Sequence, residues 1–130
     1  MSVETAVARR LLGDEAVATE VAMRVDWEVR VQGAPLSAIT LETVTDPRPQ
    51  HFKGFESTRG TRIQVNCWAA SKAAAVRLRE AAIAALTPPA VQDGVSFQRA
   101  QDITVLPRFE RTETDSTYRE IIDLTLWHDA

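Results

Sequence analysis

One cysteine in 130 residues, Cys67, leaves no partner for an intrachain disulfide and no thiolate set for a metal cluster. This scarcity reads as a reducing or disulfide-indifferent compartment. Histidine is almost as rare. His51 and His128 are the only two, and neither has a second histidine or cysteine at metal-ligand spacing. The five glycines form neither a G-x-G-x-x-G nor a G-x-x-x-x-G-K pattern, which excludes the familiar phosphate loops. No apolar run approaches the roughly 18 residues of a membrane span. The opening MSVETAVARRLL carries Glu4, Arg9 and Arg10 where a signal peptide needs an apolar stretch. The chain therefore reads as a soluble protein made in the cytosol, with no membrane partner. Its net charge of −3 also lacks the basic excess of a free nucleic-acid binder.

The residues able to do chemistry do not converge in the sequence. Cys67 falls on the apolar side of an alternating stretch and has no activating neighbour, so a buried, inert thiol is expected. His51 reads as a solvated loop residue and His128 as a polar group at a strand end. The acids Glu110, Glu113, Asp115, Glu120 and Asp123 are interleaved with Arg111 and Arg119 and lack the spacing of a calcium loop. They read as a solvated hairpin. No catalytic residue, cofactor or metal is expected.

What the chain does have is an ordinary globular composition, 45% apolar and 25% charged. Its 130 residues suit a single domain, 1–130, able to bury a core without staples. Residues 3–12 read as a helix with Ser2 as N-cap, Glu4 in the first turn and Val3, Val7 and Leu11 on one face. Gly13 suits its C-terminal stop, and Asp14 caps a second short helical turn over 15–21. Residues 24–31 and 36–45 read as strands joined by the turn signal Gln32-Gly33-Ala34-Pro35. Residues 46–58, with two prolines, form a long exposed loop. The clearest strand is 61–69, with Thr61, Ile63, Val65 and Cys67 facing one side and Arg62, Gln64, Asn66 and Trp68 the other. Ser71 then opens a helix that runs to about Leu86, where Thr87-Pro88-Pro89 ends it. Strands follow at 95–106 and 118–128, and the polar 108–117 extends them as a long hairpin. With mostly hairpin-like links, the fold class is α+β: an antiparallel sheet with helices packed on one face.

Two features look like contact surfaces. On the 71–86 helix, Ala74, Ala75, Leu78, Ala81, Ala82, Ala85 and Leu86 share one broad side, while Val76 and Ile83 stand off it beside Lys72, Arg79 and Glu80. Val76, Arg79 and Ile83 are candidate contacts with another chain; the plainer reading is a wide core stripe from which Arg79 snorkels. On the last strand, Ile122, Leu124 and Leu126 make a core face, with Ile121, Asp123, Thr125 and Trp127 opposite. Trp68 also sits opposite its strand's apolar set. Tryptophan favours interfaces, so Trp68 and Trp127 join the candidates; cover by a helix or loop of the same chain is the alternative. Charge is uneven too. Residues 46–62 carry four cations against two acids, and residues 110–123 five acids against two arginines. Opposite patches on one protomer suit head-to-tail self-association.

The run RIQVNCWAASKAAAVRLREAAIAAL (62–86) resembles the strand–helix signature of phage tail-completion proteins, where an alternating strand ends in Trp-Ala and leads into an alanine-rich helix. LLGDEAVATEVAMRV (11–25), GAPLSAITLETV (33–44) and YREIIDLTLWHD (118–129) are similar, in order, to that family's opening, second strand and closing strand. Ser37 departs from the proline that often precedes the second strand's apolar run. The resemblance is to the tail-terminator, or tail-completion, proteins of long-tailed bacteriophages and gene transfer agents, and it covers nearly the whole chain.

The resemblance implies a ring-forming structural protomer, typically hexameric, at the head-proximal end of the tail tube. It implies as partners further copies of the chain, the major tail tube protein and the head-completion (stopper) protein, with DNA passing through the lumen without sequence readout. It implies no catalytic residue and no cofactor. Within that frame the loop residues Arg48, His51, Phe52, Lys53 and Phe55 are candidates for contact with the tube or the lumen. Two readings stand beside it: another ring component of the particle, such as a stopper or tube subunit, and a small α+β enzyme or ligand-binding module with a polar pocket around Cys67 and His51.

Overall fold

Three helices begin in the same way. Ser2 Oγ accepts a hydrogen bond from Thr5 N at 3.1 Å, Asp14 Oδ1 from Val17 N at 3.1 Å and Ser71 Oγ from Ala74 N at 3.2 Å. Each side chain satisfies one of the orphan donors of a first helical turn. The helices are α1 (Val3–Leu12), α2 (Glu15–Val21) and α3 (Lys72–Leu86). Gly13 ends α1 with φ −81°, so the stop comes from the extended Asp14 that follows rather than from a left-handed cap. The computed structural model describes residues 2–28, 36–48, 50–51, 54–55, 58–111 and 116–129.

The strands are β1 (Val25–Trp27), β2 (Ala38–Thr45), β3 (Gln50–His51), β4 (Gly54–Phe55), β5 (Thr58–Ala69), β6 (Ala90–Gln92), β7 (Val95–Phe97), β8 (Gln101–Arg111) and β9 (Ser116–Asp129). Seven of them form a curled, mostly antiparallel sheet in the order β1-β2-β5-β9-β7-β6, with β8 also on β9. β3 and β4 pair by themselves within the 46–58 segment expected as loop.

The core lies between one face of this sheet and the helices. Ile63, Val65 and Cys67 of β5 and Ile122, Leu124 and Leu126 of β9 are fully buried there, with Leu78, Ala82 and Leu86 of α3 and Val7 and Leu11 of α1. Strict alternation along β5 and β9 sends every second side chain to this face. Each large aliphatic side chain buried in full contributes about 1.5–3 kcal/mol. The α+β class, with helices against one face, is the architecture observed.

Three expectations need correction. The strands 24–31 and 36–45 are not a hairpin: β1 pairs parallel to β2, in the register Val25↔Ile39 to Trp27↔Leu41. The expected turn at 32–35 lies outside the described residues. Trp27 Nε1 also donates to the Glu4 carbonyl at 2.9 Å, which ties this edge to α1. Second, 95–106 is not one strand. Asp93 and Gly94, both at positive φ (53° and 81°), close a tight β6–β7 turn, the geometry that Asp-Gly favours. The path then breaks at 98–100, where Ala100 N donates to the Thr87 carbonyl at 3.0 Å, and resumes as β8. Third, the acids of the closing hairpin are not all solvated, because Glu120 is buried. The long hairpin itself holds, with β8 and β9 in register from Val105↔Ile122 to Arg111↔Ser116.

Candidate assembly surface

The strand pair β8–β9 has two faces and two environments. Parity puts Phe109 opposite Tyr118 and Pro107 opposite Glu120 on the helix side, and Leu106 opposite Ile121 on the far side. Toward the hairpin tip no described helix covers the pair. Phe109 is 53% exposed, Leu106 42% and Ile103 36%. Among the β8 residues whose side chains are described, all but Val105 are exposed, which is unusual for a strand carrying so many apolar side chains. The Phe109 and Tyr118 rings lie 4.8 Å apart, tilted against each other. With Lys72, Pro107 and Arg108 they line an apolar concavity of about 300 Å³ at the start of α3. This surface forms an arm. Pro107, a residue confined within sheets to edges and bulges, is the sequence signal that could have located it.

Behind the arm, a buried carboxylate fixes α3 to the sheet. Glu120 is 1% exposed, and its Oε1 accepts from Lys72 Nζ at 3.1 Å and from Arg79 Nη1 at 2.8 Å. Arg79 also donates to Glu80 Oε1 from Nε and Nη2. The Glu80 hydrogen bond, followed by the charges of Glu80 and Glu120, outweighs desolvation and raises the pKa of Arg79. Cys67 sits opposite Glu120 in the ladder and is wholly buried; burial first, then the Glu120 charge, push its thiol up to about 12. No thiolate forms there at neutral pH.

The expected contact residues are arranged as follows. Val76 and Ile83 are half-buried on α3, and Ile83 packs against the core. Val76 lies one turn beyond Lys72, on the flank that continues toward the arm. Trp68 and Trp127 both occupy the sheet face away from the helices, half-buried. Trp68 Nε1 donates to Thr40 Oγ1 at 3.0 Å, and the Arg119 guanidinium stacks over its ring at 4.9 Å. Trp127 lies over Gly60, where an added Cβ would meet three ring atoms at 3.0–3.1 Å. Neighbouring polar groups form a network on this face: Arg62 bridges Asp123 twice, at 2.8 and 2.9 Å, and Arg119 Nε donates to Asn66 Oδ1 at 3.1 Å.

Of the loop candidates, His51 and Phe55 fall on β3 and β4, at positions paired with Gly54 and Gln50. Phe52 and Lys53 lie outside the described residues. Arg48 Nη2 reaches Asp46 Oδ2 at 2.7 Å, and the same carboxylate takes Arg59 Nε at 3.1 Å and Thr61 Oγ1 at 3.2 Å. Burial works against ionising Asp46, but the Arg48 hydrogen bond and the charges of Arg59 and Arg48 outweigh it and hold its carboxyl below the usual range. Thr61 Oγ1 also lies 2.7 Å from His128 Nε2. His128 is 1% exposed, so it is a buried core-face group and not a strand-end polar one. Desolvation, with the Arg59 charge next, lowers its pKa.

A second concavity, of about 610 Å³, opens between α2 and α3. Asp14, Glu15, Glu20, Thr19, Ala16, Arg77 and Ala81 line it, and Arg77 Nε bonds Glu20 at 3.2 Å. Among the described residues, no group of three or more His, Cys, Asp or Glu side chains could hold a metal ion. No described helix is long and apolar enough to cross a membrane.

Comparison with known proteins agrees with a scaffold rather than a reaction site. The fold matches a chain of the virion of a native gene transfer agent particle with a TM-score of 0.63, at 17% identity, over 99% of this chain and 96% of that one. No curated protein matches the chain. Residues 5–129 match the model of the family described as tail completion protein gp17. With that match spanning all but the chain's ends, the protein belongs to the tail completion protein gp17 family and is a structural component of a phage-type virion tail.

Proposed function

We propose that this protein closes the head-proximal end of a tail tube as a ring of identical copies, typically six, which stops tube polymerisation and offers its other side to the head-completion (stopper) protein. The observation that carries this reading is the arm. An edge strand with Ile103, Leu106 and Phe109 exposed on both faces needs a neighbour to cover it, and a family of tail completion proteins supplies the context. The role is one of binding only, with no catalysis and no cofactor.

On this reading Val76, Arg79 and Ile83 meet the neighbouring copy along the α3 flank, and Trp68 and Trp127 stiffen the opposite sheet face close to it. Arg48, His51, Phe52, Lys53 and Phe55 form the contact with the tube or the lumen. On the far sheet face Arg62 is neutralised by Asp123, and Arg119 is held by Asn66 and the Trp68 ring. Such a face grips phosphate weakly, which suits DNA in transit.

The test is to add the purified chain to polymerising tail tube subunits and to image chain and mixture by negative stain. Discrete rings alone, and shortened tubes capped at one end in the mixture, are expected. Long cylinders formed by the chain alone would identify a tube subunit, and tubes of unaltered length would exclude termination.

A further inference from the structure

Resting on the ring reading, we infer that the ring contact joins two different surfaces of this chain: the arm of one copy seats in the acidic concavity between α2 and α3 of the next. The arm presents an apolar floor, Phe109 and Tyr118, with Lys72 and Arg108 at its rim. The α2–α3 concavity presents the complement. Asp14, Glu15 and Glu20 outnumber Arg77, which Glu20 already pairs, so Asp14 and Glu15 carry the groove's unbalanced negative charge, and Ala16 and Ala81 leave room for a large side chain. Glu15 and Ala16 are exposed, and so are Arg108 and Phe109.

Charge chooses between the two ways in which copies can meet. An arm-to-arm contact, the isologous choice, brings Lys72 and Arg108 toward their own counterparts and opposes itself. An arm-to-groove contact pairs unlike signs and is heterologous, the kind that repeats head to tail and closes as a ring when the rotation allows. Pro107 decides how the contact is made. It removes a backbone donor in the middle of β8, so a strand added to this edge loses its ladder there. Side chains, not strand addition, therefore carry the contact.

The experiment uses the full chain with two exposed substitutions, Arg108→Glu and Glu15→Arg, alone and together. Oligomer mass is followed by sedimentation over a concentration series at low and moderate salt, and circular dichroism confirms folding. Each single reversal is expected to weaken self-association about tenfold or more, and the double variant to recover most of it. Single variants that assemble as the parent does, or a double variant that recovers nothing, overturn the arm-to-groove contact while leaving the ring intact. A parent chain that stays monomeric throughout overturns the ring reading along with it.

Discussion

Strand β9 runs through two environments within 14 residues. From Glu120 to His128 every second side chain is buried beneath the helices, and Ile122, Leu124 and Leu126 are fully so. Its partner β8 follows the same alternating pattern, yet Ile103, Leu106 and Phe109 remain exposed. The two strands share one ladder and similar residue types, so the difference comes from what lies above them. α1 and α3 cover the first region, and nothing described covers the second. One region is stabilised by its own chain; the other, among the described residues, stays open to solvent.

The comparison breaks first at its buried end. Leu124→Ala removes a fully buried side chain from between β5, β8 and the helices. It is expected to cost about 2–5 kcal/mol, read as a fall in the urea midpoint with unchanged slope. A loss below about 1 kcal/mol would mean that the helical layer does not press on this strand as described.

Glu120→Ala sharpens the boundary between the regions. It takes away one of the two carboxylates that hold Arg79, whose side chain is 21% exposed and keeps Glu80, and it frees Lys72, which is 54% exposed and adds little. A loss of about 1–3 kcal/mol is expected. Glu120→Leu should cost less, because an apolar replacement removes the buried carboxylate without leaving a void. If alanine and leucine cost the same, the carboxylate rather than its packing would hold α3.

These two substitutions also show where the sequence is legible. Helix starts are read directly from Ser2, Asp14 and Ser71, since capping is a local bond between residues three apart. The faces of β5 and β9 follow from period two. Strand direction does not: alternation is the same for parallel and antiparallel neighbours, so β1 on β2 is misread as a hairpin. Glu120 and His128 stand on the 120–128 parity of the core face, and that register was the available signal. Residue type argued for solvent, and partners distant in sequence, Arg79 and Thr61, overrode it. The arm stays hidden for a related reason. Its apolar alternation predicts burial, and only the fold shows that no helix reaches it.

His128 tests the far end of the buried region through pH. Its pKa is lowered in the folded protein by desolvation. Between that lowered value and the ordinary value of about 6.5, the unfolded chain binds a proton that the folded chain does not. Stability is therefore full above that window and falls as pH drops through it. Urea midpoints measured at several pH values should show this decline in the parent and a flatter profile in His128→Gln. Equal slopes in the two proteins would place the titration elsewhere.

The smallest effect on stability belongs to the arm, and there it carries the most meaning. Leu106→Gln and Phe109→Ser remove apolar surface that water already reaches, so each should change folding stability by no more than about 0.5 kcal/mol. The same two changes should abolish or sharply weaken assembly if another copy or a tail neighbour covers β8. A variant that is as stable as the parent but fails to assemble separates the two regions by function as well as by burial. If the two changes instead destabilise the monomer as Leu124→Ala does, the arm must be packed by its own chain in solution, and the contrast along β9 would disappear.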